Sequence, residues 1–564
     1  MTRRSAEETS HPRRVLLLLA VPLAGAALWG GLRVGGYMAG AARWRHVPLP
    51  AGSIPVPQAR TLEWRASSAL TDDLLEGWAA QPLPDWQEEG KVTAPRVLLA
   101  KLALNRDLDA ANAYLQAQVP WGRSGSTWEL HPEGDYDFTL AGLTVMLWLF
   151  GDDPEVLYPA TRTHLLETLL VEEGDNFRVS VPRSLGLVRD TENHLLMTEG
   201  SRYLKNRWLW LHGSTAPRHD NDGNGMEARL LDLLGELQTA GLYEFNSIPY
   251  MGYTLTALMN LEAFGSDAVR AAAGEVLDRA NWAYALGSLD FRRFAPFRRQ
   301  MRRADLTGLD ADPHTALIRA WMSYHPDAVD IPAITEGRHH ALWAALLPYR
   351  LPDETARWIL AKPSRYFVRF GHGPRSSPEL YAGGPGYLLS AGGVHRGPRS
   401  MVVARPITLM LDDGAHDLSE VLHMAGPGED FTRWNNTGVH RDFAVAAGPV
   451  RMPASWRPVT SDAIWDVYAP IEGIAVAVHS RPELGVVAIF RSDNVEHVLM
   501  AVSTANPDAE ALVRTFQWPG GPTLTYDVQA PRNRWVITAV NGDPVDRAFD
   551  AWAQIDGEIL AEGP

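Results

Sequence analysis

An asparagine and a histidine stand side by side at the predicted start of a helix, and both residue types take part in chemistry. Asn193 and His194 follow Thr191, whose hydroxyl is suited to cap the helix by accepting a hydrogen bond from a backbone N–H group. Helical steps from Asn193 reach only apolar or small side chains, so this face points to the core. Buried polar groups need partners. The pair therefore either belongs to a structural network or faces a cleft and takes part in chemistry there.

A second polar stretch ends in a proline just before another predicted helix. It contains Glu244 and Asn246, and Tyr250 and Tyr253 then share one face of the helix that follows. A tyrosine on a core face usually packs there with its hydroxyl bonded. A packing role and a role in a cleft therefore both remain open for the two tyrosines.

Arginines are concentrated in one short segment of an acidic chain. Six arginines lie between Arg292 and Arg303, whereas the formal net charge of the chain is −15. The segment is either a basic loop that is solvated or packed on acidic neighbours, or a patch that binds carboxylates, which arginine matches with paired donors. Arg298 and Arg299 are the candidates for the second role. The acidic net charge argues against a nucleic-acid partner.

Metal and cofactor motifs are weak in this sequence. Asp220, Asp222 and Asn224 match the opening of a calcium loop, but the twelfth position is Leu231 instead of glutamate. A turn that caps the next helix is therefore favoured over a structural calcium site. The chain has no cysteine, which excludes disulfides and thiolate metal sites. Neither a phosphate-binding loop, a His-Glu-x-x-His zinc motif nor a Gly-x-Ser-x-Gly elbow is present, and no cofactor is predicted to be required.

Helical periodicity and strand patterns divide the main body of the chain in two. With 564 residues, of which 46% are apolar and 21% charged, the chain is a globular protein of several domains. Residues 61–365 show paired amphipathic segments without a heptad or a fixed repeat, which indicates helical hairpins in a solenoid or a closed toroid. Residues 366–564 contain short apolar runs between Gly-Gly, Gly-Pro and Asn-Asn turns, which indicates an antiparallel β-sandwich.

The N-terminal region predicts a membrane or export segment. Residues 1–14 carry four arginines and are expected in the cytoplasm, and residues 15–40 contain an uncharged apolar run over residues 15–32. This run is a signal-anchor or a signal peptide, with the anchor favoured. Residues 41–60 are rich in proline and predict an extended tether. The main body is therefore expected in the cell envelope, outside the cytoplasm, while the oligomeric state stays open.

A family resemblance rests on two short motifs and on the order of the domains. Thr-Glu-Asn-His (Thr191–His194) and Asn-Ser-x-x-Tyr (Asn246–Tyr250), followed by arginines, resemble the polysaccharide lyases of the alginate, chondroitin AC and heparinase II/III type. Proteins of this type combine an α/α toroid with a β-sandwich. Alginate lyases of the toroid type have a second asparagine before the Asn-His pair, where this chain has Glu192.

The resemblance implies β-elimination in an acidic polysaccharide that contains uronate. Asn193 and an arginine, Arg298 or Arg299, would neutralise the uronate carboxylate and stabilise the developing enolate. His194 or Tyr250 would be the base, and Tyr250 would then donate a proton to the leaving oxygen. The residues that the resemblance implies in substrate binding are Arg299, Glu244, Asn246, Tyr253, Trp121 and Trp128.

Two other classes of function fit the same residues. A glycoside hydrolase on a helical toroid needs two opposed carboxylates, and Asp135, Asp137 and Glu244 are available. A non-catalytic glycan-binding envelope protein would use the arginine segment to bind an acidic glycan without cleaving it.

Overall fold

The chain is helical in its first part and strand-rich in its second, as the sequence predicts. The structure, a computed structural model, describes residues 20–33, 35, 47–127, 132–174, 189–248, 250–299, 301–374, 376–394, 401–425, 435–530 and 534–560. The helices are α1 (residues 20–33), α2 (Ala69–Ala79), α3 (Trp86–Glu89), α4 (Thr93–Ala103), α5 (Leu108–Gln116), α6 (Asp137–Phe150), α7 (Pro159–His164), α8 (Glu192–Leu211), α9 (Met226–Ala240), α10 (Tyr250–Phe264), α11 (Asp267–Leu286), α12 (Pro313–Met322), α13 (Arg338–Leu346), α14 (Asp353–Leu360) and α15 (Val495–Ala505).

The longer helices of the first part pack side by side in a circuit. Helix α2 contacts α4, α4 contacts α6, α6 contacts α8, and α8 contacts α10. Helix α10 also contacts α12 and α13, and α13 returns to α2. Helices α9, α11 and α14 add a second set of contacts, since α11 packs on α9, α10 and α14. Apolar side chains from these helices form one large core.

Antiparallel strands make up most of the second part. The strands are β1 (Phe297–Arg298), β2 (Tyr366–Phe370), β3 (Glu379–Gly384), β4 (Tyr387–Gly392), β5 (Val402–Val403), β6 (Arg405–Leu411), β7 (Leu422–Met424), β8 (Val439–His440), β9 (Phe443–Ala446), β10 (Thr460–Ser461), β11 (Asp466–Ile471), β12 (Ile474–Arg481), β13 (Leu484–Arg491), β14 (Thr515–Gln517), β15 (Thr523–Tyr526), β16 (Ile537–Val540), β17 (Asp543–Pro544) and β18 (Asp556–Ile559). Sheet A has the order β10-β11-β12-β13-β9-β8, and sheet B has the order β18-β2-β3-β4-β6-β7. Strands β14–β17 form a smaller sheet, and β1 pairs with β5 across the two parts of the chain.

Sheet B is buried on both of its faces. Along β2, Tyr366, Val368 and Phe370 belong to the core of the helices, whereas Phe367 belongs to a second core shared with sheet A. Successive side chains of a strand point to opposite faces, so this alternation puts helices on one side of sheet B and sheet A on the other. The helices and the sheets therefore form one packed body, in which sheet B carries side chains toward the helical part.

The described N-terminal region consists of helix α1 and of residues 47–60, which lie on the protein surface. Helix α1 covers part of the predicted membrane run, and no helix in the described part of the chain is long and apolar enough to cross a membrane. Residues 47–60 lack helix and strand but follow the protein surface closely: the backbone N–H of Ser53 bonds the carbonyl of Ile555 at 3.0 Å. A Cβ on Gly52 would lie 2.2 Å from the same carbonyl oxygen. This docked path needs glycine at position 52.

A buried ion pair joins the helical part to sheet B. The Arg293 guanidinium lies 3.1 Å from Glu379 of β3 and 3.2 Å from Asp312, and the side chains of Arg293 and Glu379 are 2% and 1% exposed. Burial alone would raise the pKa of Glu379, but Arg293 and His372 lower it to about 2. Arg293 is therefore a structural residue. At this position the arginine segment is packed on acidic neighbours, which is one of the two alternatives that the sequence left open.

We expect Arg293→Met to destabilise the protein by about 3–5 kcal/mol, because it removes the buried cation that lies between the carboxylates of Asp312 and Glu379. Urea unfolding would measure the loss. Arg303→Met, at a partly exposed position of the same segment, is the control and should change the free energy of unfolding by less than about 0.5 kcal/mol. Equal losses in the two variants would contradict a role for the buried pair.

Candidate functional site

Helix α8 begins with a group of buried polar residues. Thr191 is the N-cap, but its hydroxyl makes no capping bond and instead donates to Asn193 Oδ1 at 2.5 Å, so the predicted cap interaction is wrong. Asn193 is fully buried, and its Nδ2 has no hydrogen-bond partner among the residues that the structure describes. An unpaired amide donor is unfavourable in a folded core unless a ligand or water can use it. The side chain thus has an unused donor next to His194.

His194 is held by a carboxylate from α6. Its Nδ1 lies 2.6 Å from Oδ2 of Asp137, and the two side chains are 3% and 0% exposed. Burial lowers the pKa of His194, but the carboxylates of Asp137 and Asp190 and the hydrogen bond to Asp137 raise it more, to about 9. His194 is therefore an imidazolium at neutral pH, which makes it a proton donor and a positive charge in the site, not the neutral base considered from the sequence.

Lys91 balances part of the negative charge of the aspartates beside His194. Asp135, Asp137 and His194 offer ligand atoms within 4.8 Å of one another, a grouping that could hold a metal ion. However, Lys91 Nζ lies 2.6 Å from Asp135 Oδ2, and its ammonium supplies the positive charge that a metal would bring. The Lys91 side chain is 38% exposed, so this residue lies where the site approaches the protein surface. The donor set fits an ammonium better than a metal.

Two buried glutamates, Glu192 and Glu244, belong to the same site. Oε1 of Glu192 accepts the backbone N–H of Glu244 at 2.6 Å, which ties the start of α8 to the polar stretch before α10. Burial, and then repulsion by Glu244, raise the pKa of Glu192 to about 7. Burial also raises the pKa of Glu244, although Arg299 and Arg298 oppose this. Near neutral pH the two carboxyls therefore carry less negative charge than two free glutamates.

The raised pKa of Glu192 predicts that its burial disfavours folding once it ionises. The folded pKa of Glu192, about 7, exceeds its ordinary value of 4.5. Between these pH values the folded protein keeps the Glu192 proton and the unfolded chain loses it, so the stability of the protein falls as the pH rises. Glu192→Gln keeps the oxygen that accepts from Glu244 and removes the ionisation. As the pH rises from about 5 to about 8, we expect the stability of this variant relative to the wild type to increase by up to roughly 3 kcal/mol.

Urea unfolding of both proteins at the two pH values measures this gain. Glu558→Gln, at an exposed position of β18, is the control and should show no comparable difference. A stability difference between Glu192→Gln and the wild type that does not change with pH would contradict a buried carboxyl at this position.

Arginine and tyrosine side chains stack in two pairs beside the glutamates. Arg299 Nη1 lies 2.9 Å from Glu244, and its guanidinium lies 4.6 Å from the centre of the Tyr250 ring. Arg298 stacks on Tyr243 at 3.5 Å and donates to a serine hydroxyl at 3.0 Å. Arg299 is 21% exposed in its side chain and Tyr250 is partly exposed, whereas Arg298 is buried. Arg299 is therefore the arginine that shares an accessible surface with Tyr250.

Tyr253 extends the site into the helical core. Its ring packs edge-on against Phe138 at 4.4 Å, and Phe138 in turn contacts the His194 ring at 5.5 Å. Burial raises the pKa of Tyr253, although the cations of Arg96 and Lys91 oppose the shift. Tyr253 is 4% exposed, and its edge-on contact with Phe138 gives it a packing role beside His194.

Asn246 serves as a link to sheet B. Its Nδ2 donates to the Pro296 carbonyl at 3.0 Å and to Glu379 at 2.8 Å, and its φ of 51° is one that asparagine tolerates better than most residues. Glu379 also binds His372 at 2.6 Å. Asn246 therefore positions the polar stretch before α10.

The remaining predicted residues lie in different places. Trp121 lies against α6, where its Nε1 donates to Thr139 at 2.8 Å, while Trp128 is outside the described residues. In the predicted calcium loop, an oxygen of Asp220 accepts the backbone N–H of Gly223, and Asn224 accepts that of Met226. These bonds form the turn into α9 that the sequence favoured, with Asp222 exposed in that turn.

Sequence patterns did not predict Lys91, or that Asp135 and Asp137 would bond the cations of this site. Lys91 comes from the short segment between α3 and α4, and the motif search contained no signal for it. Asp137 and Asp135 were considered only as hydrolase carboxylates, yet each bonds a cation of the site. Comparison with protein-family models, with curated proteins and with solved structures gave no match.

Proposed function

We propose that this chain is a polysaccharide lyase that cleaves an acidic, uronate-containing glycan by β-elimination. One observation carries the proposal: an unbroken series of contacts joins the start of α8, the stretch before α10 and the segment after β1. In that series Glu192 binds the backbone of Glu244, Glu244 pairs with Arg299, and Arg299 lies over Tyr250. Asn193 and His194 follow Glu192 directly. The residues of both motifs therefore meet in one neighbourhood.

The helical part fits an α/α toroid, and the two large sheets fit a β-sandwich. The circuit of contacts from α2 through α4, α6, α8, α10 and α13 back to α2 supports the toroid. The apolar core shared by sheets A and B supports the sandwich. Residues 15–32 are proposed as the membrane anchor, which would hold this body in the cell envelope.

The proposed reaction uses charge neutralisation and one tyrosine. The Asn193 amide, the His194 imidazolium and the Arg299 guanidinium bind the uronate carboxylate and stabilise the enolate that forms. Tyr250 acts as a phenolate whose oxygen takes the proton from the carbon next to that carboxylate, and the bond from the ring to the 4-linked oxygen breaks. The electron pair goes to this leaving oxygen, which receives a proton from Tyr250, and a ring double bond remains.

A hydrolase is less well supported, because it needs two free carboxyl groups that face each other across the substrate. The three carboxylates that the sequence suggested for this role each have a cationic partner: Asp135 with Lys91, Asp137 with His194, and Glu244 with Arg299.

The proposal is tested by incubating the full chain with alginate, chondroitin, hyaluronan, heparan and polyglucuronate while ultraviolet absorbance of unsaturated uronate is followed. We expect one polymer to give a rising signal that His194→Ala abolishes. New reducing ends without absorbance would indicate a hydrolase. Binding without any cleavage would indicate a glycan-binding protein.

A further inference from the structure

We propose that the β-rich part carries a second glycan site, which binds a uronate oligosaccharide in a groove at one end of sheet A. The identity of this ligand rests on the proposed function. The groove forms where the β8–β9 turn, the start of β12 and the end of β13 meet residues 518–522, the loop between β14 and β15. Its volume is about 930 Å³, within the range of about 300–1,000 Å³ that is usual for ligand sites.

Trp518 gives the groove a fixed aromatic wall. Its ring packs edge-on against Phe490 at 5.4 Å and against Phe516 at 5.3 Å. Gln517 holds the loop by donating to the carbonyls of Trp518 at 3.0 Å and Gly521 at 2.6 Å. The indole is therefore oriented before any ligand binds, which lowers the entropy lost on binding. A partly exposed, rigid aromatic plane suits the apolar face of a sugar ring.

Arg491 gives the groove an available positive charge. It is exposed at the end of β13, where its backbone belongs to the β12–β13 ladder, and its side chain has no ion-pair or hydrogen-bond partner among the residues that the structure describes. The other arginines of the groove are engaged: Arg365 pairs with Asp442, and Arg441 donates to Glu558 at 2.6 Å. In a chain of net charge −15, a free guanidinium in a groove is a local attraction for an anion.

The combination selects for a carboxylated sugar. Arginine binds a carboxylate through paired donors, and the neighbouring indole contacts an apolar ring face. Inorganic phosphate can pair only with the Arg491 guanidinium, and a neutral glycan can stack only on the Trp518 ring. A uronate residue offers both groups at once. The second site would hold long chains on the protein while cleavage proceeds at the first site.

Calorimetric titration of the full-length Tyr250→Phe variant with uronate oligosaccharides tests this site without consuming the ligand. Trp518→Ala and Arg491→Gln, each added to that background, should remove one class of binding site or weaken it by at least about tenfold. Arg481→Gln is the matched control, because Arg481 is an exposed arginine at the opposite end of the same hairpin. It should bind as the parent does. Oligosaccharides of a neutral sugar, and inorganic phosphate, should bind at least about tenfold more weakly.

The outcomes separate this site from the proposed activity. Unchanged binding in both groove variants, or an equal loss in the Arg481→Gln control, would overturn the second site. Binding of phosphate as tight as that of the uronate ligand would overturn its ligand class. If Trp518→Ala fails to fold, Arg491→Gln at its exposed position decides alone. Should wild-type protein bind uronates through the groove but cleave none of them, the second site stands and the proposed lyase activity fails.

Discussion

Tyr250→Phe is expected to reduce kcat/KM on the cleaved polymer by roughly 10²–10⁴-fold, with most of the loss in kcat. The phenolic oxygen is the group proposed to move the proton, and phenylalanine keeps the ring that Arg299 covers at 4.6 Å. Because Tyr250 is partly exposed, the free energy of unfolding should change by less than about 0.5 kcal/mol. Initial rates over a range of polymer concentrations separate kcat from KM.

Tyr253→Phe is the matched control, three residues further along α10. Its hydroxyl is buried, and its ring supports Phe138 and His194 instead of facing substrate. We expect activity to fall by less than about tenfold in this variant. If the two variants lost activity equally, or if Tyr253→Phe were the weaker enzyme, the assignment of the proton transfer to Tyr250 would be wrong.

Removing the positive charge of His194 should have the second large effect. His194→Ala deletes a donor aimed at the developing negative charge, a loss of roughly 10²–10³-fold in kcat. In the wild type, activity that depends on the imidazolium should decline as the pH rises through about 9, the folded pKa of His194. Asp137→Asn removes the nearest carboxylate that raises this pKa. Its activity should therefore decline at a lower pH, by at least about one unit.

Full pH–rate profiles of the wild type and of Asp137→Asn measure this shift. Asp190→Asn is the control, because Asp190 also raises the pKa of His194 but makes no hydrogen bond to it. It should shift the decline by less than Asp137→Asn does. A profile in which the alkaline decline is the same in all three proteins would show that His194 does not act as an imidazolium.

Local sequence patterns were sufficient for the start of α8 and for the order of the two parts. The helical period placed Asn193 on a core face, and the structure buries that side chain fully. The partners of the motif residues could not be predicted, because they come from distant segments. Asp137 is 57 positions from His194, and Glu379 is 133 positions from Asn246. Such pairings depend on how α6 and β3 pack, which no local spacing encodes.

The roles of the arginines between Arg292 and Arg303 also could not be predicted from the sequence. Arg292 is buried, and its guanidinium donates to the carbonyls of Ala415 and Leu411 from the β-rich part. Composition alone could not distinguish this structural role from a carboxylate-binding surface. The apolar runs predicted the strands of sheet B but not that helices cover one face and sheet A the other, because a sheet buried on both faces has no alternation that tells the two faces apart.

The most direct test of the proposed activity is cleavage of the substrate polymer in ¹⁸O-labelled water, followed by mass spectrometry of the products. Elimination breaks the glycosidic bond without adding water. In products analysed before their reducing ends exchange oxygen with the solvent, the account therefore predicts no ¹⁸O, and it predicts unsaturated new non-reducing ends. Hydrolysis adds one water at each cut. Products that contain one ¹⁸O atom per cleavage and lack the double bond would contradict a lyase and make the paired carboxylates of the site the groups to investigate.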